Sequence, residues 1–251
     1  MSALIFDVDG TLAETERYGH RVAFNRAFAD AGLNWYWSES LYGKLLSISG
    51  GKERLHHFLT HYVSDSESIT NKEQLVKQLH TAKRHHYHQI LQDGEIGLRS
   101  GVKRFLKEAH QAGIRLAIAT TSSLESVRLL LATNLGEEYQ NYFEIIAAGD
   151  IVPQKKPSPD IYQYVLDKMA LSPQNCLAFE DSQQGLKAAT TAKIKTVITV
   201  NNYTLDQDFS DAVLVLDHLG ELDRPFTIYN AAFPVLQSYF DLSLAKHLLQ
   251  Y

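Results

Sequence analysis

The sequence predicts an α/β protein: a doubly wound, mostly parallel sheet with an all-helical segment inserted behind its first strand. Three observations carry that expectation. Ala3-Leu4-Ile5-Phe6 is a continuous apolar run that ends in Asp7-Val8-Asp9-Gly10, as in a strand covered on both faces. Residues 14–94 show helical periodicities and no strand-like run. Beyond them strand and helix patterns alternate, which implies parallel strands joined by crossover helices.

In chain order, Glu14–Ala31 carries Val22, Ala23, Phe24, Ala27 and Phe28 at three- and four-residue spacings, closed by Gly32. Trp35 and Trp37 lead into a short helix over Ser38–Leu46. Ser49-Gly50-Gly51-Lys52-Glu53-Arg54 reads as a turn delivering two cations, followed by a helix with Leu55, Phe58, Leu59 and Tyr62. After a polar stretch at 64–70, Asn71 and Gln74 resemble a capping box for a helix ending near Gly94. Val102, Phe105, Leu106 and Ala109 mark the next helix, and Arg115–Thr120 the next strand. Ser122 and Glu125 read as a second capping box, followed by a helix with Val127, Leu130 and Leu131. A strand over Glu144–Gly149 leads to Lys155-Lys156-Pro157-Ser158-Pro159, where Ser158 is the expected N-cap and Pro159 the first helical residue. Asn175–Asp181 repeats the opening theme of a strand running into carboxylates. A helix over Ser182–Ala192 and strands over Thr196–Val200 and Ala212–Leu216 complete the alternation.

These patterns divide the chain into a discontinuous core (1–13 and 95–220), a helical insertion (14–94) and a C-terminal extension (221–251). The extension is rich in Phe, Tyr and Leu and is expected to pack on the core, an interface being the alternative.

Composition narrows the function classes. The 251 residues carry a formal net charge of −5 and no basic run, so no nucleic-acid partner is expected. The single cysteine, Cys176, excludes an internal disulfide framework and suits a reducing compartment. Neither a membrane span nor a secretory signal is legible. The expectation is a cytoplasmic protein, or a plastid stromal one if a transit peptide has been removed, present as a monomer or weak homo-oligomer.

Parallel doubly wound sheets place their sites beyond the carboxyl ends of the strands. Four predicted strands end in polar residues that therefore converge: Asp7 and Asp9; Thr120 and Thr121; Lys156; Glu180 and Asp181. An Asx turn accounts for Asp7 and Asp9 alone. It does not account for four carboxylates in one crevice, which require a counter-charge. Mg²⁺ suits a few carboxylates together with a phosphate oxygen. The Thr120-Thr121-Ser122 turn supplies N–H donors for a phosphate, and Lys156 a compact positive charge. An Asp attacking phosphorus forms an aspartyl-phosphate, and a second Asp protonates the leaving oxygen and then activates water.

Asp7-Val8-Asp9-Gly10-Thr11, Thr120, Lys156 and Glu180-Asp181 match, in order, the four motifs of haloacid dehalogenase-type phosphotransferases. A helical cap inserted straight after the first motif resembles the β-phosphoglucomutase-like subgroup. Within it, Ile5–Glu16, Gly50–Arg54, Ala147–Asp150 and Lys155–Tyr162 resemble the CbbY-type phosphatases acting on xylulose-1,5-bisphosphate. The likeness covers about residues 3–220. It implies a Rossmann-like core, Asp7 as nucleophile and Asp9 as general acid/base. It also implies Mg²⁺ on the Asp7 carboxylate, the Asp9 main-chain carbonyl and Asp181, with Glu180 close by, and the phosphoryl group on Thr120, Thr121 and Lys156. Ser100 stands where relatives often carry Pro after Arg99.

In the insertion, Glu16, His20, Lys52 and Arg54 are candidates to hold the sugar and a second phosphate, ordinary solvated helix faces being the competing account. Arg99 is a candidate of the same kind. The 11 histidines include His57 and His61 at metal-like spacing, but no carboxylate or cysteine pattern completes a zinc site, so a solvated surface is expected. The reading that follows is a Mg²⁺-dependent phosphatase for a small phosphorylated sugar, a bisphosphate. A mutase on the same core and a non-catalytic binding protein are the alternatives.

Overall fold

A computed structural model describes residues 2–48, 50–64 and 69–250. Ser49 in the Gly-Gly turn and most of the polar stretch at 64–70 lie outside the described residues. The chain divides into two compact units, Met1–Glu14 with Gly97–Tyr251, and Thr15–Ile96.

The first unit is built on a seven-stranded sheet. Its strands are β1 (Ala3–Phe6), β2 (Arg115–Thr120), β3 (Phe143–Ala148), β4 (Cys176–Glu180), β5 (Lys195–Thr199), β6 (Leu214–Leu216) and β7 (Ile228–Ala231), in the order β3-β2-β1-β4-β5-β6-β7. All neighbours are parallel except β6 and β7. The order reverses at β1, so the carboxyl ends of β1, β2 and β4 open one crevice.

Alternation sorts the side chains of β1 between two apolar layers. Ala3 and Ile5 face a layer with Ala117, Ala178, Ile161, Tyr162 and Val165, built from the sheet and α7 (Asp160–Lys168). The rings of Phe6 and Phe179 stack at 4.5 Å, and Phe105 of α5 (Val102–Gln111) lies 5.6 Å from Phe179. Truncating a ring so enclosed costs about 3–5 kcal/mol.

Helix starts explain most boundaries. Ser182 accepts from the Gly185 amide ahead of α8 (Gln183–Thr191), a cap of about 1 kcal/mol. For α6 (Leu124–Leu135) the cap is Ser123, which accepts from the Ser126 amide, and not Ser122. The Ser122 hydroxyl is engaged elsewhere, as described below. Ser158 does not cap α7 either. Its hydroxyl bonds the Asp160 carboxylate, and Pro159 precedes the first helical residue.

Residues 221–250 lie in the same compact unit as the sheet. β7 is the antiparallel edge strand of the sheet. Phe240 packs 5.0 Å from Phe105 and 5.2 Å from Phe179. α9 (Leu242–Leu248) buries Leu242, Leu244, Ala245 and Leu248. Phe226, Phe233, Phe240 and the buried residues of α9 therefore belong to the core of the same unit, whereas Leu222, Tyr229 and Leu236 are exposed.

The second unit is helical. A wide turn at Glu16–His20 runs into α1 (Arg21–Asp30), followed by α2 (Glu39–Leu45), α3 (Gly51–Tyr62) and α4 (Lys72–Gln92). Phe24, Phe28, Trp37, Tyr42 and Phe58 form its aromatic core, with Trp37 4.5 Å from Phe24 and 5.3 Å from Phe58. Asn25 holds Trp37 by accepting from its amide at 2.7 Å and donating to its carbonyl at 3.0 Å. No described helix is long and apolar enough to cross a membrane.

Candidate active site

Asp7 follows β1 directly, and its amide donates to the Phe179 carbonyl of β4 at 3.0 Å. This bond fixes the ends of two strands side by side and brings Asp7, Glu180 and Asp181 together. All three are buried, and one carboxylate oxygen of each lies within 4.8 Å of the others. They form the one group of three or more potential metal-ligating side chains among the described residues, and the histidines form none.

Lys156 closes the crevice from the loop before α7. Its ammonium donates to Asp7 Oδ1 at 2.7 Å, to Glu180 Oε1 at 2.5 Å and to the Ala119 carbonyl at 2.9 Å. Its three protons thus tie together the ends of β1, β4 and β2. Burial alone would lower the Lys156 pKa, but Asp7 and Glu180 outweigh it and lift the ammonium above its ordinary value. The Tyr162 hydroxyl also donates to Glu180 Oε1, at 2.5 Å. Burial and the Glu180 charge raise that phenol well above its usual pKa, so it stays a donor.

Asp9 is half-buried, and the Ser122 hydroxyl donates to its Oδ2. The Thr120 hydroxyl accepts from the Ser122 amide at 3.2 Å. Thr120 is buried, whereas Thr121 at the same strand end is exposed. Asp181 Oδ2 accepts from the Asn201 side-chain amide at 2.7 Å. Gly10 makes this arrangement possible: its φ is +81°, and a Cβ there would collide with Asp181 and approach Asn201 Nδ2 to 2.8 Å.

Arg99, a candidate substrate ligand, is committed elsewhere. Its guanidinium donates to the carbonyls of Gly10, Thr199, Val200 and Asp217, and its Nε lies 3.0 Å from Glu14. It is a bracket for main chain, because a planar five-donor fork suits several fixed acceptors at once.

The helical unit holds the remaining candidates. Arg54 is buried and donates to the Leu45 and Ile48 carbonyls and to the Tyr42 hydroxyl, at 3.1, 3.3 and 2.9 Å. Tyr42 in turn donates to Glu16 at 2.5 Å. His20 lies 2.8 Å from the Lys83 ammonium, and Lys52 is exposed. Arg54 therefore braces the fold of its own unit.

The sequence does not mark Tyr162 and Asn201 as site residues, and it places Ser122 in the phosphate turn without its bond to Asp9. Ser122 stands in a polar run and pairs with Glu125 as a capping box on paper, whereas the cap is Ser123. Tyr162 lay inside a recognised motif run without a role of its own. Asn201 had only the weak signal of a polar residue just past a strand.

The buried acids lack sufficient counter-charge. Burial raises Asp7 well above the carboxylate range, with Lys156 opposing and Glu180, Asp181 and Asp9 adding to the rise. Burial and the neighbouring Glu180 push Asp181 up to about 8. Hard carboxylate oxygens packed this closely fit a divalent cation. A stability measurement checks this. Between pH 6.5 and 8 the unfolded chain has lost the Asp181 proton while the folded one retains it, so the melting temperature of cation-free protein is expected to fall as pH rises. His80, held down to about 4 by burial and Lys83, works the other way, but only below 6.5. Added Mg²⁺ or the Asp181→Asn substitution should flatten the decline. A melting temperature that rises over this range in both forms would contradict the assignment.

Residues 1–193 match the family model of haloacid dehalogenase-like hydrolases, and the chain belongs to that family. It is 42% identical over 222 residues to Protein CbbY of Cereibacter sphaeroides, covering 88% of this chain and 94% of the relative. A crystal structure of CbbY from Rhodobacter sphaeroides in complex with phosphate superposes with a TM-score of 0.78 at 42% identity, covering 88% of this chain and 96% of that one. An Asp→Asn variant of the same protein, in complex with xylulose-(1,5)bisphosphate, superposes equally, with a TM-score of 0.78 at 41% identity over 89% and 98% of the two chains.

Proposed function

We propose that the protein is a Mg²⁺-dependent phosphatase that hydrolyses a phosphate ester of a small sugar bisphosphate, xylulose-1,5-bisphosphate, through an aspartyl-phosphate. The observation that carries this reading is the pairing of Asp7 with Lys156 beside a second acid, Asp9, held by Ser122. The likeness to CbbY, crystallised with that bisphosphate, supports the choice of substrate.

An Asp7 carboxylate oxygen attacks phosphorus, the bond from phosphorus to the sugar oxygen breaks, and Asp9 gives its proton to the departing oxygen. Asp9, now ionised, takes a proton from water as the water oxygen attacks phosphorus. The bond from phosphorus to Asp7 breaks, and phosphate and a free carboxylate remain. Lys156 fixes the nucleophile and balances part of its charge. Thr120 and Thr121, at the end of β2, supply hydroxyl donors for the phosphoryl oxygens, and the Lys156 ammonium supplies positive charge beside them. Asp7, Asp181, the Asp9 carbonyl and Glu180 would hold Mg²⁺, which would supply neutralisation of charge on the phosphoryl group. Glu16, His20 and Lys52 are proposed to meet the sugar and its second phosphate, with Arg54 holding Glu16 in place through Tyr42.

The test compares kcat/KM of the wild type and Lys52→Ala on xylulose-1,5-bisphosphate and on xylulose 5-phosphate, reading both phosphate release and isomer formation. The wild type is expected to prefer the bisphosphate by about tenfold or more, since remote binding energy is used at the reacting centre. Lys52→Ala should lose most of that preference. Equal wild-type efficiency on both substrates would overturn the bisphosphate reading. Transfer of the phosphoryl group to a second sugar position, without release of phosphate, would establish the mutase instead.

A further inference from the structure

Asn201 follows β5 at the edge of the crevice, and every polar atom described for it has a defined partner. Its backbone amide donates to the Thr204 hydroxyl at 3.0 Å. Its carbonyl accepts from the Thr204 and Leu205 amides at 3.0 and 3.1 Å. Its side-chain Oδ1 accepts from the Tyr203 amide at 2.9 Å. That last bond settles which way the amide points. Flipping it would set NH₂ against an N–H donor and a carbonyl oxygen against the Asp181 carboxylate, losing both bonds. The NH₂ group is thus committed to Asp181 Oδ2, at 2.7 Å.

The turn carrying Asn201 is itself held. Arg99 donates to the Thr199 and Val200 carbonyls, at 2.9 and 2.6 Å, immediately before Asn201. The same guanidinium donates to the Gly10 carbonyl, next to Asp9. Gly10 also forms the surface against which Asp181 and Asn201 pack. One arginine therefore sets the spacing between the loop that bears Asp9 and the loop that bears Asn201. Asp181 lies between them, with Oδ2 bonded to the amide and Oδ1 outside that bond.

We propose that Asn201 is a positioning residue for Asp181: from a turn fixed by Arg99 it occupies Oδ2, leaves Oδ1 for the divalent cation, and thereby sets cation affinity without touching substrate. Partners of this kind, one step removed from a metal, typically change affinity by 10- to 100-fold when lost. The inference rests on the proposed function only in requiring that the cluster bind a divalent cation.

The experiment is calorimetric titration of the purified full-length protein with MgCl₂, without substrate. Asn201→Leu keeps approximate size and removes the donor, and its Kd for Mg²⁺ is expected to rise by about 10- to 100-fold. With substrate and saturating Mg²⁺, its KM should stay within about twofold of wild type, because a loss confined to the cation site is made good by mass action. If Asn201→Leu does not fold, Thr204→Val carries the test, since it loosens the turn without touching Asp181. Its Kd should rise several-fold. A folded variant that binds Mg²⁺ as tightly as the wild type overturns this inference alone. A wild type that binds no Mg²⁺ overturns it together with the proposed function.

Discussion

Asp7→Asn is expected to lower kcat by about 10⁴- to 10⁶-fold, the range seen when a nucleophile acting as part of a unit is removed. Asn keeps the shape of Asp but offers no carboxylate to phosphorus. The fold should persist, because Lys156 retains Glu180 at 2.5 Å and the Ala119 carbonyl at 2.9 Å. The melting temperature of the cation-free variant should equal or exceed that of wild type. Burial opposes the Asp7 charge, and Glu180, Asp181 and Asp9 repel it, so neutralising it relieves the cluster even though its attraction to Lys156 is lost. Phosphate release and thermal melting, measured on one preparation, check both halves. A variant that keeps near wild-type turnover would show that another group attacks phosphorus.

Asp9→Asn should be impaired for a different reason. Its main-chain carbonyl survives, so cation binding should change little, while proton transfer is lost in both steps. The expected fall in kcat is about 10²- to 10⁴-fold. The two steps can be separated with an aryl phosphate, whose leaving group needs no proton. Asp7 attack then proceeds, whereas water attack still lacks its base. Rapid mixing should therefore show a burst of phenolate followed by slow turnover. Loss of Mg²⁺ affinity with an unchanged rate at saturating metal would contradict the acid/base role.

Much of this arrangement is legible in the chain, because strand ends are short-range features. Asp7, Thr120 and Glu180 each terminate an apolar run, and parallel topology then brings them to one edge. The residues that hold them in place are less visible. Ser122 and Ser123 are equally good caps on paper, and only the position of Asp9 decides which hydroxyl is diverted. Arg99 reads in the sequence only as a candidate ligand, because its four carbonyl partners lie on three separate segments that sequence spacing does not relate. Arg54 follows two glycines and a lysine, a pattern that marks a cation on a turn and says nothing of its burial. Burial beneath α2 turns it inward, where a guanidinium must find acceptors or incur a large desolvation cost. The C-terminal segment shows no strand alternation strong enough to announce β7, whose side chains are mostly exposed. Its place in the sheet comes from pairing with β6.

The central claim is that phosphorus passes through Asp7 before it reaches water. The stereochemical course at phosphorus tests this most directly, and does so whether or not an intermediate accumulates. A substrate whose transferred phosphorus is made chiral with sulfur and oxygen isotopes would be turned over in isotopically labelled water, and the configuration of the released thiophosphate determined. Each in-line displacement inverts phosphorus, so attack by Asp7 followed by attack by water should give net retention. Net inversion would mean that water attacks the substrate directly and that Asp7 is not the nucleophile.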